Sequence, residues 1–380
     1  MWAEVGQFLV VVVAPPFLGL YFIHALFFPT VWRTDRAKPY RETGVRPAQE
    51  QLPLVVRIRS YVATRILSSL LLTCVFMNVF CLLHLRRVAW WYIPYAIWCI
   101  FLAERFGKPL GLPSKWLRTL PFWNWLAEYF PFTLLKENPA AQFATDKNYL
   151  FGFHPHGVLG FSCCGQFAGM PPRPENNLAV LLPGLDFRVT TLEVNMRTPF
   201  FRHILQLLGF ISCSKGNIQR VLESQEKGKA VVLLVGGGRE ALMAEEGKNN
   251  LVLQRRKGFF ELALRTGASV VPVYALGEND LYTVIKSPLA KLLSEQTMRL
   301  FGFSCPLFFG RGAFQMFLPL RVPTFTMIGD PIECKKTENA TDEDIARLRQ
   351  QYCEALHRVF NKVKDAYRPK REFQHLRIVE

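Results

Sequence analysis

The sequence predicts an α/β domain with a mostly parallel or mixed sheet, preceded by N-terminal membrane-embedded helices. Three observations predict it. Residues 230–235 (AVVLLV) and 269–276 (SVVPVYAL) are continuous apolar runs without alternation, the pattern of strands buried on both faces. Strand, loop and helix signals then recur in that order from residue 149 onward, as in sheets covered by helices. The chain is also unusually apolar: half of its 380 residues are hydrophobic and its mean hydropathy is +0.12.

Taken in order, residues 5–28 form an uncharged run with Pro15-Pro16 in the middle, long enough to span a bilayer and kinked by the prolines. No basic stretch precedes it and no small-residue cleavage site follows, which argues against a cleaved signal. Residues 29–65 are expected to be a basic cytosolic link, carrying Arg33, Arg36, Lys38, Arg41, Arg46, Arg57, Arg59 and Arg65, on the positive-inside tendency. Residues 66–83 and 90–102 read as a helical hairpin, 66–103, dipping into the membrane with an aromatic start at Trp90 and Trp91. The remainder, 104–380, reads as one cytosol-facing domain. Residues 116–135, rich in Trp and Phe, look interfacial. Strands are expected at 149–153, 189–194, 230–235, 269–276 and, last, 324–328. Helices are expected at 199–208, 239–245, 257–265 and 341–366. Thr341 is placed to cap the final helix, and Ile345, Leu348, Tyr352, Leu356, Val359 and Val363 line one of its faces.

The net charge of +16 has three ordinary sources: nucleic acid, an anionic membrane or a phosphorylated ligand. No zinc-knuckle, RNA-recognition or homeodomain pattern occurs, so nucleic acid is set aside. Nine cysteines at irregular spacing, without a Cys-x-x-Cys, fit a reducing compartment.

The sharpest motif is His154-Pro155-His156-Gly157 at the end of a predicted strand. Proline fixes φ and glycine permits a tight turn; strand ends in α/β sheets collect active sites, and His is the natural general base at neutral pH. A metal clip or a purely structural pair are the alternatives. Two His at i and i+2 rarely hold an ion unaided, and no third ligand stands nearby, so no metal is expected.

These residues, with the blocks that follow, resemble the type-2 diacylglycerol acyltransferase family, which includes monoacylglycerol and wax-alcohol acyltransferases. The blocks are Tyr129-Phe130-Pro131, the His-Pro-His-Gly turn, Arg197-Thr-Pro-Phe-Phe-Arg202, Val235-Gly-Gly-Gly-Arg-Glu240-Ala-Leu242, Arg256-Lys257-Gly258-Phe259, Gly277-Glu278-Asn279, Gly310-Arg311-Gly312, and Val322-Pro323 through Gly329-Asp330-Pro331. The resemblance spans roughly residues 125–367. It implies a glycerolipid-acyltransferase-like fold, acyl-CoA as co-substrate without a further cofactor, and a diacylglycerol, monoacylglycerol or long-chain alcohol acceptor. It also implies residence in the endoplasmic reticulum membrane and on lipid droplets. The residues after Gly157 depart from the commonest family wording, and Arg239 adds a charge inside the glycine block.

An alcohol needs a base at its proton. His156 is the expected base with His154 in support, and the reverse assignment of the pair stays open. Related glycerolipid acyltransferases place an acid four residues after the His; here those positions hold Val158 and Gly160. Glu240 is therefore the expected partner that orients the imidazole. Backbone N–H groups of Gly236, Gly237 and Gly238 are expected to face an oxyanion or a CoA phosphate. Pro155, Gly157 and Glu278 are read as support for the motif, and Arg255, Arg256, Lys257 and Arg311 as contacts to CoA. A covalent acyl-enzyme on Cys163, Cys164 or Ser162 is an alternative, but no Gly-x-Ser-x-Gly elbow exists. Further alternatives are a lysophospholipid acyltransferase, whose His-x-x-x-x-Asp and Phe-Pro-Glu-Gly-Thr blocks are missing, and a non-catalytic membrane scaffold. A homo-oligomer is left open.

Overall fold

The computed structural model describes residues 53–103, 113–130, 132–170, 177–301, 306–311, 317–367 and 375–379. The expected membrane segment 1–28 and residues 29–52 of the link lie outside them. The strands are β1 (Phe132–Lys136), β2 (Tyr149–His154), β3 (Asp186–Thr191), β4 (Phe210–Ser212), β5 (Lys229–Leu234), β6 (Asn249–Val252), β7 (Ser269–Leu276), β8 (Thr283–Val284), β9 (Phe308–Phe309), β10 (Thr324–Ile328) and β11 (Leu376–Val379). The helices that matter here are α1 (Leu54–Leu83), α2 (Leu85–Ile97), α3 (Phe122–Tyr129), α4 (Phe201–Leu207), α5 (Lys215–Leu222), α6 (Gly237–Met243), α7 (Lys257–Thr266) and α8 (Asp342–Tyr367).

Seven strands make the main sheet in the order β1-β10-β7-β2-β5-β3-β4. Every neighbour pair is parallel except β10 with β7, so the mixed, mostly parallel sheet read from the sequence is the one observed. β7 is buried at all eight positions, as its unbroken apolar run requires.

β2 lies at the centre, between β5 and β7, and its side chains alternate between two cores. Tyr149, Phe151 and Phe153 enter an aromatic layer with Phe143, Phe167 and Phe187. Leu150, on the other face, joins Ile218 of α5, Phe259 and Phe260 of α7 and Tyr352, Leu356 and Val359 of α8. Each such large apolar side chain contributes about 1.5–3 kcal/mol on burial. All six residues of the apolar stripe read on the final helix are buried. Thr341 caps that helix as expected: its Oγ1 accepts from the Asp344 N–H at 3.1 Å, while the Asp344 carboxylate accepts from the Thr341 N–H at 3.1 Å.

Four expectations about boundaries are corrected. The strand read at 189–194 ends at Thr191, because residues 193–197 turn into a helix. The helix read at 239–245 starts at Gly237, since Gly237 and Gly238 form its first turn. The strand at 324–328 is not the last: β11 follows and pairs in parallel with β6 in a separate small sheet. The hairpin starts at Leu54 rather than Ile66, and its second helix starts at Leu85 rather than Trp90. The basic residues ahead of Ile66 do not break α1, because Arg59 folds onto α3 and donates Nε and Nη2 to the two Glu128 oxygens at 2.8 and 2.6 Å.

Residues from Pro47 onward form one compact unit, so the hairpin packs into the same body as the sheet. α2 continues as a π-helical turn, Trp98–Leu102. It grips the Arg197–Arg202 block: the Tyr95 hydroxyl accepts from the Phe200 N–H at 2.7 Å, and the Tyr95 ring stacks on His203. Phe200 holds φ at 63°, a strained backbone for a residue with a side chain. α1 is the one described helix long and apolar enough to cross a membrane, and only 11% of its most apolar window is buried.

Candidate active site

Three adjacent parallel strands, β5, β2 and β7, end on the same edge of the sheet. Their C-terminal ends deliver three of the elements singled out in the sequence: the His-Pro-His turn after β2, Glu240 after β5 and Glu278, read as motif support, after β7. This is the crevice where α/β sheets place their sites.

The His154–Pro155 peptide is cis. His154 is fully buried, and its Nε2 lies 3.0 Å from the Tyr352 hydroxyl. That hydroxyl donates to the Gly152 carbonyl at 3.1 Å. A carbonyl only accepts, so the tyrosine oxygen accepts from His154 Nε2–H. Burial pushes the His154 pKa down to about 3, so this ring is neutral. A Cβ at Gly152 would lie 2.0 Å from the Tyr352 hydroxyl, which accounts for glycine in an otherwise bulky strand. Sequence reasoning places Tyr352 only in the core. The signal available is a single polar-tipped residue in that apolar stripe.

His156 is half-buried. Its Nδ1 lies 2.9 Å from the Gly157 carbonyl. The carbonyl requires a proton on Nδ1, which leaves Nε2 as the acceptor nitrogen. Burial lowers its pKa below the ordinary 6.5, with Arg256 adding to the effect. Glu240 does reach His156, but not as expected. Its Oε1 accepts the His156 backbone N–H at 2.5 Å and its Oε2 accepts the Val252 N–H at 2.8 Å. The imidazole is oriented by its neighbour's carbonyl, and Glu240 pins the main chain beneath it. The correction has a geometric cause: the turn presents the His156 amide, not its ring, to α6.

Glu278 closes the other side. Its two oxygens accept the Phe161 and Ser162 N–H groups, each at 2.9 Å. Gly157 has φ 61°, and a Cβ there would lie 2.6 Å from Glu278 Cγ, so both backbone and space demand glycine. Burial raises Glu240 and Glu278 each to about 7, against the lowering effect of the N–H groups they accept.

The glycine block opens α6. A Cβ at Gly236 would fall 2.1 Å from Glu240 Oε2, so this glycine makes room for the carboxylate. Gly237 takes φ 59°, and Gly238 completes the turn. Of the expected cations, Arg256 bonds the Gly236 carbonyl and so reaches the site. Arg255 is exposed next to it. Lys257 is exposed and pairs with Asp342 at the start of α8. Arg311 reaches the Tyr129 hydroxyl at 3.3 Å instead of the His turn. Burial raises the Cys163 and Cys164 thiols well above their ordinary range, which keeps them protonated and poor nucleophiles.

Residues 82–377 match the family described as "Diacylglycerol acyltransferase". Diacylglycerol O-acyltransferase 2 of Dictyostelium discoideum is 36% identical over 283 residues, 72% of this chain and 82% of that one. 2-Acylglycerol O-acyltransferase 1 of Bos taurus is 34% identical over 323 residues, covering 83% and 94%. Human diacylglycerol O-acyltransferase 2 is 30% identical, covering 82% and 79%. The solved 1-acyl-sn-glycerophosphate acyltransferase of Thermotoga maritima aligns over 66% of this chain and 76% of that one, at 13% identity and a TM-score of 0.35, a likeness too weak to bear on the fold. The His-Pro-His turn, the buried acids around it and these long alignments agree: the chain belongs to the diacylglycerol acyltransferase family and is a membrane-associated O-acyltransferase that acylates a lipid hydroxyl.

Proposed function

We propose that the acceptor is diacylglycerol, the donor acyl-CoA and the product triacylglycerol, with His156 as the general base. The observation that carries the reading is the His156 ring: Nδ1 is committed to the Gly157 carbonyl at 2.9 Å, which leaves Nε2 to take a proton. In the step we derive, Nε2 accepts the hydroxyl proton as the alcohol oxygen attacks the thioester carbon. The tetrahedral intermediate collapses, the C–S bond breaks, and the imidazolium returns the proton to the thiolate sulfur. The products are an ester and free CoA, and no metal or further cofactor enters.

His154 is the supporting residue. Neutral and bonded to Tyr352, it holds the strand end from which His156 projects. The Gly236 to Gly238 turn and Arg256 are our candidates for the oxyanion or for CoA phosphate, and Arg255 for the outer phosphates. Lys257 and Arg311, engaged elsewhere, are weaker candidates. Leu159, 45% exposed three residues past His156, gives the site an apolar lip suited to an acyl chain. We place the enzyme in the endoplasmic reticulum membrane, with the site facing the cytosol where acyl-CoA is found, and in contact with lipid droplets.

A monoacylglycerol acceptor is the second reading, favoured by the strong likeness to 2-acylglycerol O-acyltransferases. The test is acyl transfer from labelled oleoyl-CoA to diacylglycerol, monoacylglycerol and hexadecanol by membranes carrying this chain. Labelled triacylglycerol formed fastest supports the reading; faster acylation of monoacylglycerol or hexadecanol overturns the acceptor.

A further inference from the structure

We infer that β11 is a positioning strand for acyl transfer: it braces β6, β6 fixes Glu240, and Glu240 fixes the main chain of His156. The inference rests on the reading that the His-Pro-His turn carries the reaction.

The link runs through one carboxylate. Glu240 Oε1 accepts the His156 N–H at 2.5 Å, and Oε2 accepts the Val252 N–H at 2.8 Å. Val252 is the last residue of β6. Glu240 is buried, so water does not readily replace a lost N–H partner. Any drift of Val252 is therefore passed to the turn. A misplacement of about 1 Å in a reacting group costs on the order of 100-fold in rate.

β6 is a weak strand by itself. It has four residues and stands apart from the seven-stranded sheet. β11 is its strand neighbour, paired in parallel from Leu376 with Asn249 to Val379 with Val252. So short a strand needs a neighbour and a core to lie on. The two ends of β6 are held differently. Its start is tied to β7 and to the turn after β7. The Tyr274 hydroxyl donates to Asn249 Oδ1 at 2.7 Å, Asn279 Nδ2 to the Lys248 carbonyl at 2.9 Å, and the Gly247 N–H to Asp280 Oδ1 at 2.8 Å. None of these contacts involves β11. At its other end Val252 has Glu240 as partner and Val379 opposite it in the pairing. Past that point Arg349 of α8 reaches the Gln254 carbonyl at 2.9 Å, on the exposed surface. β11 thus steadies the end of β6 that serves the site.

The sequence of β11 suits this task. Leu376 is buried in the core cluster that contains Leu251 and Leu253, and Ile378 packs against it. Arg377, between them, is exposed. The alternation fixes the register, because a slip of one residue would turn Arg377 into the core. α8, the helix before β11, carries Tyr352, which bonds His154 and Gly152. The segment from α8 to β11 so reaches the turn from two directions, at His154 through Tyr352 and at His156 through β6 and Glu240.

The test substitutes Arg377→Pro in the full chain. Proline has no N–H and resists strand pairing, while Leu376 and Ile378 stay in place. Oleoyl transfer is followed with whichever acceptor the wild type acylates. We expect kcat to fall roughly 10- to 100-fold with KM for oleoyl-CoA within about twofold. Amide exchange, read by mass spectrometry, should become faster in peptides containing His156 and Val252. Arg377→Ala, which keeps the N–H, should match the wild type in both readouts. The Glu240→Gln background separates positioning from general destabilisation, because the neutral amide has one acceptor oxygen and cannot hold both N–H groups as the carboxylate does. There Arg377→Pro should cost less than about twofold further in kcat. An equal loss in both backgrounds overturns the inference, as does an unchanged kcat in Arg377→Pro. A chain cut after residue 374 gives a second variant, in which adding a peptide of residues 375–380 should restore kcat; no recovery in a cut chain that keeps its circular dichroism overturns the inference too. The exchange result stands apart from the assignment of the base. If His156→Ala proves fully active, that assignment fails, and unchanged exchange at His156 in Arg377→Pro is then what overturns the brace.

Discussion

At the residue scale, the two histidines of the turn do different work. His156→Ala removes the proposed base and should lower kcat by roughly 100-fold or more with little change in KM. Its folded pKa lies below 6.5, so the acid limb that His156 sets in the pH–rate profile should fall below that value. Tyr352→Phe removes the hydroxyl between His154 and Gly152. The prediction is a loss of about 1–3 kcal/mol in stability, read by thermal unfolding, and a smaller loss of rate than in His156→Ala. The buried acids set a second pH dependence. Folding raises Glu240 from 4.5 to about 7, so the folded state binds this proton more tightly than the unfolded chain does. Stability is then highest below about pH 4.5 and declines as pH rises through 7, by roughly 3 kcal/mol for a shift of this size. Glu278 adds in the same direction. Glu240→Gln should flatten that decline in urea titrations at pH 5 and 8, while lowering kcat because one of its two N–H partners loses its acceptor.

These residues were legible to different degrees. The His-Pro-His turn and both acids could be read from the sequence because each follows an apolar strand directly. The way Glu240 acts could not, since one carboxylate can reach a ring or an amide and only the path of the turn decides which. Tyr352 stayed hidden because nearly 200 residues separate it from His154 and its helical spacing already explained it as core.

At the scale of elements, the site is a property of strand ends. β5, β2 and β7 run parallel and in register, so three turns distant in sequence meet at one edge. Gly152→Ala tests how tightly that edge is tied to α8. Its Cβ would collide with the Tyr352 hydroxyl, and we expect unfolding at lower urea with activity reduced even at low temperature. Continuous apolar strands were found in the sequence to within a residue or two. Short or half-polar strands such as β4, β6 and β11 were missed, because their burial depends on neighbours that periodicity does not reveal. The early start of α1 was missed for a related reason: Arg59 reads as link until Glu128, far along the chain, is placed beside it. Tyr95→Phe probes the junction of α2 with α4, since it leaves the Phe200 N–H without its acceptor at a corner with positive φ. The expected result is faster proteolysis between α2 and α4 in detergent.

At the scale of the whole molecule, charge and apolar surface suit the proposed reaction, which joins a water-soluble anionic thioester to an alcohol dissolved in a membrane. The basic surface suits both the CoA phosphates and anionic headgroups. The hairpin is part of the same compact unit as the sheet. Composition narrowed the setting to a membrane and a phosphorylated ligand, and the class of function became legible only through the resemblance carried by the His-Pro-His turn and the blocks after it. It left the acceptor unresolved, since diacylglycerol, monoacylglycerol and a long alcohol present the same hydroxyl and similar chains.

The most direct measurement is oleoyl transfer by membranes carrying the wild-type chain or His156→Ala, with the acceptors offered in parallel. We predict labelled triacylglycerol from diacylglycerol with the wild type, and its loss by roughly 100-fold in His156→Ala at unchanged protein level. Full activity in His156→Ala would contradict the assignment of the base; a membrane-inserted, intact wild type that acylates none of these hydroxyls would contradict the reaction itself.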